Sequence, residues 1–198
     1  MSTLLYQGHA SCRITTDSGT VIYIDPYAGE GYGLPADIVL VTHQHFDHNN
    51  VSLITPKKGC MIITEKEALV NGSYNSFLFN DVSIYATPAY NKNHNKKNCV
   101  GYVLLFDDLT LYFAGDTGCV EEMQNLAGRG IDYALLPIDG IYTMDRAEAE
   151  KCAGIIGAKH TIPIHTIPGG LFDKNAAEAF SPPNKIILAP GETLTLSK

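Results

Sequence analysis

Six consecutive residues, His43-Gln44-His45-Phe46-Asp47-His48, hold three of the seven histidines in this 198-residue chain, with a carboxylate beside them. Neutral imidazole nitrogen and carboxylate oxygen are the ligands that Zn²⁺ and similar borderline cations take. Four such groups exceed what one ion draws from one loop, so the spacing points to a two-metal site. The bland alternative is a polar turn that happens to carry histidines, and the density of ligands weighs against it. Just upstream, Ile38-Val39-Leu40-Val41 is a short, mostly β-branched apolar run, the pattern of a buried strand. Thr42 then opens the loop. Ligands just past a strand end sit where open α/β sheets place their sites, on a rigid support.

Further donors lie downstream. Asp116, in Ala114-Gly115-Asp116-Thr117-Gly118, follows the apolar run Leu109 to Phe113. It reads either as a carboxylate bridging two cations or as an N-cap for a helix over Val120 to Ala127. His165 ends Thr161-Ile162-Pro163-Ile164 and precedes a Pro-Gly-Gly loop, so it is either a ligand or a satisfied surface histidine. His94 lies in the polar stretch Asn91 to Asn98 and is either a further ligand or part of a solvated loop. Asp25, at the end of Val21 to Ile24, is placed to orient a ligating imidazole from behind. His9 is either near the site or in the core, and His160 reads as structural.

These side chains need a scaffold rich in strands. Thr3 to Tyr6, Cys12 to Thr16 and Thr20 to Asp25 read as strands, the second and third joined by the turn Asp17-Ser18-Gly19. Cys60 to Thr64 follows as a strand. Thr64 and Glu67 then form a capping box for a short helix ending near Gly72. Val82 to Thr87, Val100 to Phe106 and Leu109 to Ala114 continue the β pattern. Tyr133 to Pro137, a helix capped by Asp145 and Glu148 and ending near Gly157, and His160 to Ile164 come next. A helix over Asp173 to Phe180 and strands over Lys185 to Ala189 and Thr193 to Leu196 close the chain. The expected fold is α/β (α+β): two mixed sheets packed face to face with helices outside.

Composition bounds the rest. The chain is 45% hydrophobic and 18% charged, ordinary for one folded domain. No run approaches the roughly 20 apolar residues of a membrane span, and Met1 to Arg13 lacks the basic start and apolar core of a signal peptide. A net charge of −7 argues against nonspecific nucleic-acid or membrane binding. Cys12, Cys60, Cys99, Cys119 and Cys152 are odd in number and widely spaced, as in reduced core thiols, so a cytoplasmic setting is expected. The sequence leaves homo-oligomerisation open.

The run His43-x-His45-x-Asp47-His48 resembles the H-x-H-x-D-H signature of the metallo-β-lactamase superfamily. Gly115-Asp116-Thr117 resembles its bridging-aspartate segment, and Pro163-Ile164-His165 its last histidine. Gly8-His9-Ala10-Ser11, Ile24-Asp25-Pro26, Pro88-Ala89-Tyr90-Asn91 and Leu136-Pro137 with Tyr142-Thr143-Met144-Asp145 are similar to segments of the small hydrolases related to ascorbate-6-phosphate lactonase. The resemblance spans essentially residues 1–198. It implies a single hydrolase domain with a four-layer αββα sandwich and its site along one edge of the sheets. It implies that His43 and His45 hold one divalent cation, that Asp47, His48 and His165 hold a second, and that Asp116 bridges them. Zn²⁺ is the first expectation, with Mn²⁺ or Fe as alternatives. One position departs from the pattern. Ala89-Tyr90-Asn91 stands where a third histidine for the first cation is expected, and His94 is the nearest substitute.

The chemistry of such a site is hydrolysis by water that a cation ionises at roughly neutral pH. Asp47 would hold the nucleophile and shuttle its proton. Tyr90, Tyr142 or Thr143 would either donate to the developing oxyanion or pack beside the site. Lys92, Lys96 and Lys97 around His94 suggest a small anionic substrate, an ester, lactone or phosphoester, although a solvated basic loop is the readier explanation of the lysines themselves. The rivals are a nuclease or phosphodiesterase on the same fold, a di-iron redox protein, and a non-enzymatic metal-binding module.

Overall fold

The computed structural model describes all residues, 1–198. Its first half supplies β1 (Thr3–Gly8), β2 (Ser11–Thr15), β3 (Val21–Ile24), β4 (Ala36–Leu40) and β5 (Pro56–Ile63). A one-turn helix α1 (Glu65–Ala68) and the small strands β6 (Leu69–Val70) and β7 (Ser73–Tyr74) follow. Then come β8 (Ser76–Phe79), β9 (Val82–Pro88), β10 (Val100–Phe106), β11 (Leu109–Phe113), β12 (Tyr133–Pro137), α2 (Arg146–Ile156), β13 (His160–Ile164), α3 (Lys174–Ala179) and β14 (Thr193–Thr195).

The strands form two six-stranded sheets, β14-β1-β2-β3-β4-β5 and β13-β12-β11-β10-β9-β8. Each sheet is mixed: β3-β4-β5 and β11-β12-β13 are parallel and the other pairs antiparallel. Alternate side chains face inward, as the two-residue strand period requires. Leu4 and Tyr6, Ile22 and Ile24, Ile38 and Leu40 from one sheet meet Tyr102 and Leu104, Leu111 and Phe113, Ile162 and Ile164 from the other. The outer face of the second sheet packs Tyr112, Ala134 and Leu136 against Ala149, Cys152 and Ile156 of α2. The outer face of the first sheet buries only a small cluster around Tyr23, Val39 and Val41. A 3₁₀ turn over Val51–Leu53 is the helical element beside it. The αββα sandwich therefore has one thick and one thin helical layer, because the segment after β4 is spent on the ligand loop.

Several elements match the sequence reading closely. Asp145 accepts the Glu148 N–H at 2.8 Å to cap α2, and Gly157 ends it in the left-handed conformation. Others differ. The helix begun by the Thr64–Glu67 capping box stops after one turn. Leu69–Val70 instead pair with Ser73–Tyr74 around Asn71 and Gly72, both at positive φ, the conformation that a tight hairpin of this composition adopts. The strand β8 carries no strong alternation and was not expected. The segment after Thr117 forms a 3₁₀ helix over Glu121–Leu126 rather than an α-helix. Lys185 to Ala189 is not a strand. It makes a single bridge to Thr161, while the Lys185 ammonium donates to carbonyls at the end of α3. All five cysteines are free thiols, and no helix is long and apolar enough to cross a membrane.

Candidate metal centre

The site forms where strand ends of both sheets meet. β4 delivers Thr42 and His43, and the loop behind it delivers His45, Asp47 and His48. From the second sheet, the turn after β9 delivers His94, the loop after β11 delivers Asp116, and the end of β13 delivers His165. Gly115 allows the close approach: it has φ 66, and a Cβ there would lie 2.8 Å from the Val100 carbonyl and 3.1 Å from the Thr42 side chain.

Buried Asp116 is the centre of the cluster. Its Oδ2 lies 3.2 Å from His94 Nε2, 3.4 Å from His165 Nε2 and 3.9 Å from His43 Nε2, and its Oδ1 lies 3.4 Å from His48 Nε2. His43 Nε2 and His45 Nδ1 are 3.1 Å apart. The ligand atoms of His43, His45 and His94 form one compact group, and those of Asp47, His48, His165 and His9 form another, each within 4.8 Å.

The opposite ring nitrogens are tethered. His48 Nδ1 donates to Asp25 Oδ2 at 2.8 Å, and Asp25 also accepts the Thr42 N–H and hydroxyl, both at 2.7 Å. With its proton committed to Asp25, the Thr42 oxygen accepts from His43 Nδ1 at 2.9 Å. His94 Nδ1 donates to Asn91 Oδ1 at 3.1 Å, and His165 Nδ1 lies 2.8 Å from Asp139 Oδ2. Each contact leaves Nε2 as the nitrogen turned to Asp116, the arrangement that metal-bound histidines require. Meanwhile Nε2 of His48 and His94 and Oδ1 of Asp116 are buried without a hydrogen-bond partner. Buried polar atoms left without a hydrogen bond and converging on one point fit a divalent cation.

Electrostatics split the two groups. Burial, reinforced by the neighbouring imidazoles of His48, His94 and His45, holds His43 down to about 2. For His165, burial pulls the pKa down, but Asp116 and Asp139 outweigh it and raise the value to about 9. His48 behaves alike, raised against burial by Asp116 and Asp25. Burial would raise Asp116, yet His48 and His165 hold it well below the usual carboxylate range. In the metal-free chain, His43 is neutral, while His48 and His165 hold positive charge where a cation's charge would sit. His9, Asp25 and His165 all have positive φ, 57, 46 and 46, so backbone strain is concentrated here.

A beta-lactamase superfamily domain model matches residues 3–165, ending on His165. A UPF0173 metal-dependent hydrolase of Methanoregula boonei is 34% identical, covering 98% of this chain and 97% of that protein. Another from Caldivirga maquilingensis is 30% identical, covering 99% of each. The chain belongs to the metallo-β-lactamase superfamily, in its UPF0173 metal-dependent hydrolase family. Among solved structures, the metallo hydrolase Igni18 from Ignicoccus hospitalis superposes with a TM-score of 0.79 at 26% identity, covering all of both chains.

Against the superfamily pattern, the departure at Ala89-Tyr90-Asn91 has a local cause. Asn91 Oδ1 accepts the backbone N–H of Asn93 at 2.7 Å and of His94 at 2.9 Å, a side-chain-capped turn that brings His94 back over the site. A cavity of about 620 Å³ opens above the cluster, lined by His45, Asp47, His94, Asp116 and His165, with Phe46, Asn93, Tyr142, Pro168 and Gly169 around them. Tyr142 is thus brought to the site. Tyr90 is not: its hydroxyl donates to Glu122 at 2.9 Å, and Lys96 pairs with Glu122 while sitting 4.7 Å over the Tyr90 ring. Lys96 and Lys97 line a separate cavity with Leu69 and Tyr74. His160 stacks on Tyr133 at the far end of β13.

The sequence reading missed Asp139. Its Oδ1 accepts the N–H groups of Ile141, Tyr142 and Thr143 while Oδ2 faces His165. The signal was available: Asp139 comes two residues past β12 and Asp25 one residue past β3, an acid with a buried side chain just past an apolar strand in each sheet.

Proposed function

We propose that this chain hydrolyses a small ester, lactone or phosphoester at a two-cation centre. The observation that carries this reading is the convergence of His43, His48, His94 and His165 on the one buried carboxylate of Asp116. His43, His45 and His94 would hold one cation, Asp47, His48 and His165 the other, with Asp116 between. Bound cations, Zn²⁺ first with Mn²⁺ or Fe as alternatives for this nitrogen and oxygen set, would acidify water to a pKa of roughly 7 and polarise the scissile bond.

The chain's own groups do the rest. Asp47 lines the cavity and its carboxyl is held at about 2: burial opposes ionisation, but a contact with His9 and the charge of His48 prevail. It is therefore ionised at neutral pH, able to hold the cation and to accept a hydrogen bond from the attacking water. Tyr142, 51% exposed at the rim, is placed to donate to the oxygen that gains charge. Tyr90 serves as a brace, joining the His94 turn to the Glu122 segment. Phe46, 73% exposed, and Pro168 give the mouth an apolar edge that packs against substrate and sheds water.

An anionic substrate, expected from Lys92, Lys96 and Lys97, finds little support. Neither lysine nor arginine lines the cavity. A nucleic-acid backbone, which binds through such cations, is disfavoured for the same reason. A neutral ester or lactone fits better. The test is turnover of matched neutral esters, lactones, phosphomonoesters and phosphodiesters by metal-loaded and chelator-treated protein. Metal-dependent cleavage fastest on the neutral set is expected. Equal rates with and without metal, or no cleavage of any class, would discard the reading.

A further inference from the structure

We infer that His9 is a ligand of the second cation position, joining Asp47, His48 and His165. The inference rests on the two-cation reading above and adds a residue outside the H-x-H-x-D-H loop.

His9 is fully buried and sits between β1 and β2, where the register shifts. Its backbone is anchored on three sides. Its N–H donates to the Leu171 carbonyl, and its own carbonyl accepts from Tyr6 Oη at 2.7 Å and from the His165 N–H at 2.6 Å. These bonds hold it at φ 57, a left-handed conformation that is uncommon outside glycine and needs such support. The direction of the ring is thus fixed by the backbone.

The ring's hydrogen bonding decides what it can do. Nδ1 lies 2.9 Å from the Gly170 carbonyl, which can only accept, so Nδ1 carries the proton. Nε2 is therefore the ring nitrogen left to take a cation. It faces Asp47 Oδ2 at 3.3 Å, another acceptor, and has no hydrogen-bond partner. With nothing between them these two atoms would repel in a buried place, so positive charge, a shared proton or a cation, belongs between them. A ring nitrogen of His9 also falls within 4.8 Å of donor atoms of Asp47, His48 and His165 together. The rings of His9 and His165 lie 3.8 Å apart between centroids, so both reach the same point from adjacent backbone.

With His9, this position has four protein donors besides Asp116, against the three histidines of the other. More donors suit cations that take five or six ligands, such as Mn²⁺ or Fe²⁺. The two positions should therefore differ in affinity and in metal preference.

The experiment compares wild type with His9→Ala in calorimetric titrations of metal-free protein with Zn²⁺ and with Mn²⁺. Wild type should bind two ions. His9→Ala should keep one site unchanged and weaken the other by about 100-fold or more, beyond the 10–100-fold expected for a residue acting only through a ligand. Unchanged affinities in the variant would overturn the role of His9 while leaving the two-cation reading intact. Failure of wild type to bind any ion would overturn both. Should His9→Ala fail to fold, isotope-labelled wild type loaded with NMR-active cadmium decides the matter. Scalar coupling from the metal to His9 Nε2 supports ligation. Coupling to His48 without His9, or protons on both His9 ring nitrogens, overturns it.

Discussion

Asp139 Oδ2 lies 2.8 Å from His165 Nδ1, while the other oxygen of the same carboxylate accepts three backbone N–H groups from the turn that carries Tyr142. One buried acid thus sets both the orientation of a candidate ligand and the position of a candidate oxyanion donor. Asp139→Asn keeps an oxygen for the turn but can present an amide donor to the His165 N–H. We expect it to weaken metal binding by about 10–100-fold, with a smaller change in thermal stability. Calorimetry on the variant checks this, and wild-type affinity would detach Asp139 from the metal centre.

Asp116→Asn keeps the shape of the side chain and removes the charge on which both groups converge. Hydrolytic turnover should fall by several orders of magnitude, the scale on which metal-activated water contributes. Metal analysis should show lower occupancy at both positions. Retention of near wild-type turnover by this variant, or by Asp47→Asn, would rule out the two-cation mechanism.

His94→Ala leaves His43 and His45 as the histidines of their position. Since a cation normally needs at least three protein ligands, stoichiometry should drop from about two toward one. Metal content measured after gel filtration is the readout. Unchanged content would return His94 to the solvated loop.

Metal uptake should release protons. In the metal-free chain His165 is raised to about 9 and His48 well above its usual value, so both are protonated at neutral pH and must lose a proton to bind. Calorimetry at neutral pH in buffers of different ionisation enthalpy should show net release. The same shifts govern stability without metal. A raised histidine pKa stabilises the fold fully below about 6.5, its unfolded value, and that contribution is lost as pH rises through about 9. Metal-free protein should therefore melt lower at alkaline than at neutral pH. A flat profile over that window would contradict the assignment.

Gly101→Ala tests the scaffold behind the site. A Cβ on Gly101 would meet the carbonyl oxygens of Ala114 at 2.8 Å and Phe113 at 2.9 Å. Backbone must shift, and overpacking of this kind costs about 1–3 kcal/mol. A lower melting temperature is expected, together with weaker metal binding, because Ala114 leads directly into Asp116.

Much of this arrangement was legible in the sequence, for identifiable reasons. His43, His45, Asp47 and His48 are close in sequence because one loop carries them, so their chemistry shows as spacing. Asp116 and His165 are visible because each follows an apolar strand. Strong local signals also held: the Asp145 cap and Gly157 stop bound α2 to the residue. His9 and Asp139 were obscure because their roles depend on partners more than 25 residues away in sequence, Asp47 and Gly170 for one and His165 for the other. The helix after Thr64 was overread because a cap specifies where a helix starts, not how far it runs. Asn71-Gly72 decided its end by favouring a hairpin. Lys185 to Ala189 has strand-like residues but lacks a continuous partner edge, since β13 bonds it at one position.

Both ligand groups draw on both sheets: His43 and His45 stand on the first with His94 on the second, and Asp47 and His48 on the first with His165 on the second. An ion seated in either group would therefore work as a clasp across the open edge of the sandwich, holding the two sheets as a fastener holds the covers of a book. Sliding one sheet past the other would spoil both groups together. The centre is then a gauge of sheet alignment, and amide protection at the ends of β4, β11 and β13 should rise in concert when it is filled.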